Sequence, residues 1–341
     1  MWRGLDNIAS NALSALDLIS SRAVILHGSL PDEIAAAVIL YEILKTRGVE
    51  VFAIPTLPEE FLENVEKSGE CDLIAVGVLP TGPGPLDVAE KLHGNVFLFS
   101  NSISHGHGIN LMGEGLNIPL SSLSYRMAKQ VKDEDLSNLC WIAAIGSIDS
   151  HLFLEIAREA ALRWPYIFAS SDGGNFKKGN EMLIKASLLH PIGPSIAFVS
   201  LDENMEDPAS FFDGSDMLAS LLRHEGMDGS LMDLINSSGT LRFSKDGLRV
   251  WEANEARKRR TIAYFESRIS DDLVLSYATE GPVAFISARR NSTKDLLSEM
   301  REKLSGIEHS ICGGIDHAEI TMRSSQINKF IERLGGEIFL G

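Results

Sequence analysis

Apolar residues along this chain follow two different periods. Near the start, Trp2, Leu5, Ile8, Leu13, Leu16 and Ile19 recur at helical spacing, with Asp6 and Asp17 between them. That spacing predicts an amphipathic packing helix and not a secretory leader. Residues 23–27 then form a short apolar run, followed by a turn containing Pro31, Asp32 and Glu33 and by an alanine-rich segment to Thr46, where Gly48 supplies a stop. Strand, loop and helix follow from that order. Further strand-like runs lie at 51–54, closed by Pro55, at 72–78 (DLIAVGV) and at 95–99, with the turn-rich string PTGPGP between the last two. Strands alternating with helices of ten or more residues predict an α/β domain with a mostly parallel sheet flanked by helices. In such a sheet the working site lies beyond the carboxyl ends of the strands.

Between residues 160 and 201 the periodicity blurs. The polar, glycine-rich string SSDGGNFKKGN at 170–180 lacks the order of a phosphate-binding P-loop and reads as a connection, and DENMEDPASFFD at 202–213 reads as an acidic loop. Short helices are expected over 216–224 and 229–236, and a longer one over 250–267. The centre of that longer helix, Arg257 to Arg260, is the one dense basic run; it reads either as a solvated face or as a phosphate contact. Past it, 273–278 and 283–287 are strand-like, 293–304 and 326–334 helical, and the closing EIFL strand-like. This divides the chain into a first domain at 1–165, a helical connector at 166–268, and a smaller C-terminal α/β domain at 269–341.

Composition narrows the functional classes. With 341 residues, 44% of them hydrophobic, the chain can bury two cores. A formal net charge of -16 excludes a simple charge-driven polyanion binder, so any nucleic-acid contact has to be a local basic patch. Cys71, Cys140 and Cys312 are far apart without metal-type spacing, and read as free thiols filling cores in a reducing compartment. No stretch reaches the roughly 18 uninterrupted apolar residues of a membrane span, so a cytoplasmic protein without membrane contact is expected.

The strand ends carry the chemistry. The loop after the first strand reads HGSLPDE, with His27, Leu30 and Asp32; the third strand ends at Gly77; the fourth runs into Ser100, Asn101 and Ser102; CWIAAIGSIDS at 140–150 ends on Asp149 and Ser150. This ordered set, together with LSYRMAKQ at 123–130, resembles the DHH phosphoesterase superfamily and its RecJ-like branch. The C-terminal part is similar to the DHH-associated domain, with Ser287, Ala288, Arg289 and Arg290 in the place of its Ser-Ala-Arg loop and Cys312, Gly313, Gly314 and Ile315 in that of its glycine-rich loop. The family's histidine position is Ile315 here, and His317, displaced by two residues, reads as a surface side chain.

The resemblance implies where metal ligands belong. It places them at Leu30, Asp32, Gly77, Ser100, Asn101, Ser102 and Ser150, and of these only Asp32 is a carboxylate. Two-metal phosphoryl hydrolysis needs several anionic or imidazole ligands around cations about 3.5–4 Å apart, which one carboxylate cannot supply. A rebuilt manganese or magnesium site would have to draw on Asp32, His105, His107 and Asp149, with His151 and Glu155 nearby; the alternative is that HGH is a solvated loop and that Asp32 opens its own helix as a cap. No cofactor is expected otherwise. The resemblance therefore implies a catalytically inactive RecJ-like replication or repair factor, similar to the DHH-fold subunit that accompanies MCM and GINS in the eukaryotic replicative helicase. It further implies a protein partner of GINS or MCM type and a single-stranded DNA or RNA contact through Ser287, Arg289, Arg290, Gly313 and Gly314. An active metal-dependent phosphodiesterase or exonuclease, and a pure interaction scaffold, are the competing readings.

Overall fold

A computed structural model of the chain describes residues 2–82, 84–101, 108–112, 118–132, 134–168, 173–291 and 295–335. The first of two units takes the described residues up to Asp228 apart from 79–82, which group with the second unit at 229–335. Its strands are β1 (Arg22–His27), β2 (Glu50–Pro55), β3 (Asp72–Val76), β4 (Val96–Phe99) and β5 (Ile109–Asn110), all parallel in the order β2-β1-β3-β4-β5. Its helices are α1 (Trp2–Ala15), α2 (Pro31–Thr46), α3 (Phe61–Ser68), α4 (Gly84–Leu92), α5 (Leu120–Ala128), α6 (Cys140–Gly146), α7 (Phe153–Arg163), α8 (Pro165–Phe168), α9 (Gly174–Ser187), α10 (Ile192–Glu203), α11 (Ala209–Asp213) and α12 (Met217–His224).

Helices cover both sheet faces, which is why the strand sequences are apolar without alternation. Ile25, Ile74, Phe97 and Phe99 join the large core around α2, whereas the alternate residues Val24, Leu26, Leu73, Ala75 and Leu98 are buried outside that cluster. Helix α2 is the centre of the unit: every residue from Ile34 to Leu40 is fully buried. A helix hydrophobic all round is a core helix, and α5, α6 and α10 pack around this one.

The second unit is a mixed sheet in the order β10-β11-β9-β8-β7-β6. It contains α13 (Leu231–Ser238), β6 (Gly239–Lys245), β7 (Leu248–Ala253), α14 (Arg259–Ile269), β8 (Leu273–Glu280), β9 (Val283–Arg289), α15 (Leu296–Lys303), β10 (His309–Gly313), β11 (His317–Arg323) and α16 (Ile327–Arg333). One face is apolar: Val250, Leu275, Ile286 and Ile320 form a core with Leu297 and Met300 of α15 and Phe330 of α16. The other face lies under α14 and is polar along one row, because Ser276 is paired with Ser287 and Ser287 with Glu319 across β8, β9 and β11.

The structure corrects several expectations. Residues 250–253 belong to strand β7, not to a helix, and α14 starts only at Arg259. Only half of the basic run is buried: Arg257 is exposed and Lys258 half-buried, whereas Arg259 and Arg260 are buried and both pair with Glu319, at 3.7 and 3.0 Å. The expected connection at 170–180 turns into α9 from Gly174, and the acidic loop closes with α11, whose Phe211 and Phe212 enter the core beside Trp141. The EIFL segment and residues 102–107 lie outside the described residues. Cys140 and Cys312 are buried and Cys71 half-buried, all as free thiols. Among the described residues no helix is long and apolar enough to cross a membrane.

Candidate functional site

The loop after β1 brings His27, Leu30, Asp32 and Glu33 to the carboxyl end of the sheet. His27 is buried, with Nδ1 2.8 Å from the Gly28 carbonyl and its ring stacked on Phe198 at 5.7 Å. Burial pulls its pKa down to about 4; the Gly28 carbonyl opposes this and the charge of His190 adds to it. The imidazole is therefore neutral at neutral pH, with Nδ1 donating and Nε2 as the lone-pair nitrogen. Among the described residues Nε2 has no hydrogen-bond partner.

Leu30, where the resemblance puts the first ligand aspartate, is 2% exposed and is the N-cap residue of α2. Its backbone N–H donates to Glu33 Oε2 at 2.9 Å. This is half of a capping box; the reciprocal half is missing because leucine has no side-chain acceptor. Glu33 is thus committed to the start of its own helix.

Asp32 has a different commitment from the one its position suggests. It does not cap α2. Its Oδ2 accepts from Leu120 N at 2.8 Å, and its Oδ1 accepts from Ser121 N at 2.9 Å and Ser121 Oγ at 2.5 Å. Those donors are the first residues of α5, so the carboxylate caps a helix nearly 90 residues later in the chain. The enclosing core pushes its pKa up to about 6, against the pull of the Ser121 and Leu120 donors.

The next position at which the resemblance puts a ligand is closed sterically. Gly77 has φ +67°, and a Cβ added there would lie 2.3 Å from Glu33 Cγ. An aspartate at Gly77 meets both the left-handed backbone and the Glu33 side chain. Ser100 is buried, Asn101 Nδ2 donates to the Ile118 carbonyl at 2.9 Å, and Ser150 Oγ accepts from Leu152 N at 3.0 Å. Asp149 and His151 are exposed, and Glu155 pairs with Arg126 at 2.5 Å. Ser102, His105 and His107 lie outside the described residues.

Manganese and magnesium require several oxygen or imidazole donors converging on one point. Among the described residues no three His, Cys, Asp or Glu side chains form such a group. The two carboxylates nearest the strand ends, Asp32 and Glu33, already serve helix starts. The described residues do not fit a two-metal centre.

In the second unit, the residues expected to hold nucleic acid differ in how far they are engaged. Ser287 Oγ donates to Glu319 Oε1 at 2.9 Å beneath α14, and Arg290 is held by Glu299 through two bonds of 2.6 and 3.2 Å. Gly313 has φ +155°, and a Cβ there would lie 2.3 Å from the His317 carbonyl oxygen, so the β10–β11 turn itself demands glycine. The carbonyls of Gly314 and Ile315 accept from Leu297 N at 3.2 Å and Leu296 N at 2.8 Å, which satisfies the first amides of α15. His317 is half-buried and no surface side chain; its Nδ1 is 2.9 Å from Asp316 Oδ1. Burial opposes ionisation of Asp316, but the His317 hydrogen bond and charge and the Arg289 charge outweigh it and hold its pKa at about 2. Arg289 has no hydrogen-bonded carboxylate among the described residues, although its charge acts on Asp316 and Glu319: its guanidinium lies 5.5 Å from the Tyr264 ring centroid, with Arg268 at 5.2 Å from the same ring.

The sequence reading missed Glu33, Ser121, Glu299 and Glu319. Glu33 carries a local signal, since glutamate three residues after an N-cap is a helix-start pattern. The others are joined to their partners only by the fold.

No protein-family model and no curated protein matches the chain. Solved structures do resemble it over nearly its whole length. RecJ from Thermus thermophilus in complex with manganese superposes with a TM-score of 0.57 at 14% identity, covering 97% of this chain and 54% of that one. This chain thus spans about half the length of the Thermus protein. A manganese-bound exonuclease RecJ gives a TM-score of 0.54 at 15% identity, over 97% of this chain and 93% of that one. The DHH domain of a member of the s1p family of ribosomal proteins gives 0.57 at 12% identity, over 98% and 89%. With a five-stranded parallel sheet in the first unit and a mixed sheet in the second, the chain has the DHH, RecJ-like fold.

Proposed function

We propose that the chain is a catalytically inactive RecJ-like protein, a replication or repair factor that binds a partner of GINS or MCM type and contacts single-stranded nucleic acid through its second unit. One observation supports inactivity above the rest. At the strand ends the ligand positions hold a buried leucine, a glycine closed by Glu33, and an aspartate used to cap α5. Hydroxide generation and leaving-group stabilisation by paired cations have no ligand set there among the described residues. The proposed replication role and the partner class rest on the resemblance of the ordered motifs to the degenerate RecJ-like branch.

Arg289 supports the nucleic-acid part. Its guanidinium lies over the Tyr264 ring and interacts with Asp316 and Glu319 only through charge, with no carboxylate hydrogen-bonded to it among the described residues, whereas Arg290 is bonded directly to Glu299. A guanidinium without a hydrogen-bonded carboxylate beside an aromatic ring suits a phosphate and an adjacent base. The test uses labelled single strands at low salt. Binding should weaken several-fold with Arg289→Ala, less with Arg290→Ala, and fall with added salt. Absence of binding at low salt would leave a protein-interaction role only. Incubation of the protein with single-stranded DNA, RNA and small dinucleotides in manganese should give no turnover. Manganese-dependent hydrolysis lost in Asp32→Ala would overturn the proposal in favour of a phosphodiesterase.

A further inference from the structure

The two faces of the second unit's sheet are covered unequally. Helices α15 and α16 close the apolar face. On the other face α14 packs on β7, β8 and β9, and α13 packs on β6. Over the β6–β7 pair, residues of α13 and α14 border a groove with a cavity volume of about 490 Å³. Trp251 lines it together with Met232 from α13, Leu241 from β6 and Ile269 from α14. Those last three are exposed apolar side chains, at 41, 43 and 48%. A volume of this size takes a few side chains or one small ligand.

Two observations say what the occupant must bring. Trp251 is 4% exposed, and its indole N–H has no hydrogen-bond partner among the described residues. A buried donor in a groove wall calls for an acceptor from outside. Arg249, also in the lining, is held between Glu266 Oε2 at 3.0 Å and Asp272 Oδ2 at 2.8 Å. One cation shared by two carboxylates gives this cluster a formal charge of -1, with Glu266 buried and Asp272 the part-exposed carboxylate at the groove's border. A polyanion is disfavoured there, and a basic group is favoured. Strand β6 also ends the sheet order, so its outer row of N–H and C=O groups has no strand partner among the described residues. Open strand edges accept extended chains.

We propose that this groove docks an extended segment of a partner protein. An apolar side chain of the segment sits between Met232, Leu241 and Ile269, a carbonyl oxygen accepts from Trp251 Nε1 once docking uncovers it, and a flanking lysine or arginine faces the part-exposed Asp272. The site uses neither the strand-end loops of the first unit nor Arg289, so it stands or falls apart from the proposed function.

The test is selection of displayed short random peptides on the full-length chain, followed by titration of the synthetic winners. Selected sequences should pair an apolar residue with a nearby lysine or arginine. Their affinity should fall roughly tenfold or more with Leu241→Asp and with Ile269→Asp, as for removal of a central contact. Trp251→Phe, which keeps the ring and removes the donor, should weaken them about three- to tenfold. Leu241 and Ile269 are exposed, so near-ultraviolet circular dichroism should confirm that those two variants remain folded. Failure to enrich any peptide, or winners indifferent to all three changes, would overturn the proposal. Concentration-dependent dimers lost in Leu241→Asp would overturn it too, by assigning the groove to a second copy of this chain.

Discussion

Removing the Asp32 carboxylate separates a structural cap from a metal ligand. In Asp32→Ala the first two amides of α5 and the Ser121 hydroxyl lose their acceptor. Each enclosed amide left unsatisfied costs about 2 kcal/mol, a figure that already includes the loss of the cap, so the gross loss is about 4 kcal/mol. Opposing it, the native carboxyl titrates at about 6 against 3.8 when unperturbed. At 1.36 kcal/mol per pKa unit, keeping it ionised in the fold costs about 3 kcal/mol. The sign follows from the upward shift: the carboxyl's full contribution is present below its unfolded pKa and declines as pH rises through about 6. The variant should therefore lose about 1 kcal/mol near neutral pH, and distinctly more as the solution is acidified toward the unfolded pKa. Urea denaturation of both proteins across this range, with EDTA and with manganese, reads the difference directly. Equal stability of the two proteins would refute the cap. So would a manganese-dependent stabilisation of the wild type that Asp32→Ala abolishes.

Three further predictions follow from other sites. Gly77→Asp, which puts back a carboxylate where the resemblance places one, should lower stability by about 2 kcal/mol or more through the positive φ and the overlap with Glu33, and thermal unfolding should be no higher in manganese than in EDTA; a manganese-stabilised variant would contradict this. Glu319→Ala leaves Arg259 and Arg260 buried without their shared carboxylate, and should cost about 3–5 kcal/mol in urea denaturation; a loss under about 1 kcal/mol would show the network to be dispensable. Asp316, held at about 2, contributes about 2 kcal/mol that is present above its unfolded pKa and lost as pH falls through about 2, so Asp316→Asn should flatten the acid limb of stability against pH, and an unchanged limb would refute the His317 and Arg289 coupling.

How much of this was legible in the sequence depends on where each side chain's partner lies. The parallel sheet was readable because strands buried on both faces are written as continuous apolar runs, such as DLIAV, and α2 because its alanine-rich run sits between a turn and Gly48. The second unit is harder. In β7, Leu248 and Val250 face the apolar core while Trp251 faces the groove beside α14, and the resulting LRVWEA pattern merges with the helical residues that follow. Strand β6 is an exposed edge with almost no apolar periodicity, and it went unread. The basic run misled because its counter-charge, Glu319, lies 59 residues beyond Arg260.

The candidate site divides in the same way. That Leu30 and Gly77 are not carboxylates, where the resemblance puts ligands, is visible as residue identity. Their consequences were not. That Glu33 occupies the space over Gly77 depends on β3 lying beside β1, and that Asp32 serves α5 depends on α5 packing against α2. A local reading finds Asp32 at a helix start and assigns it to that helix; the fold assigns it to another.

The central proposal is that these strand ends hold no working metal centre, and manganese titration of the purified chain by calorimetry, run beside an assay for hydrolysis of labelled single-stranded DNA, tests it most directly. The account predicts no saturable binding that Asp32→Ala removes, and no hydrolysis above background. Saturable manganese binding with turnover, both abolished by Asp32→Ala, would contradict it.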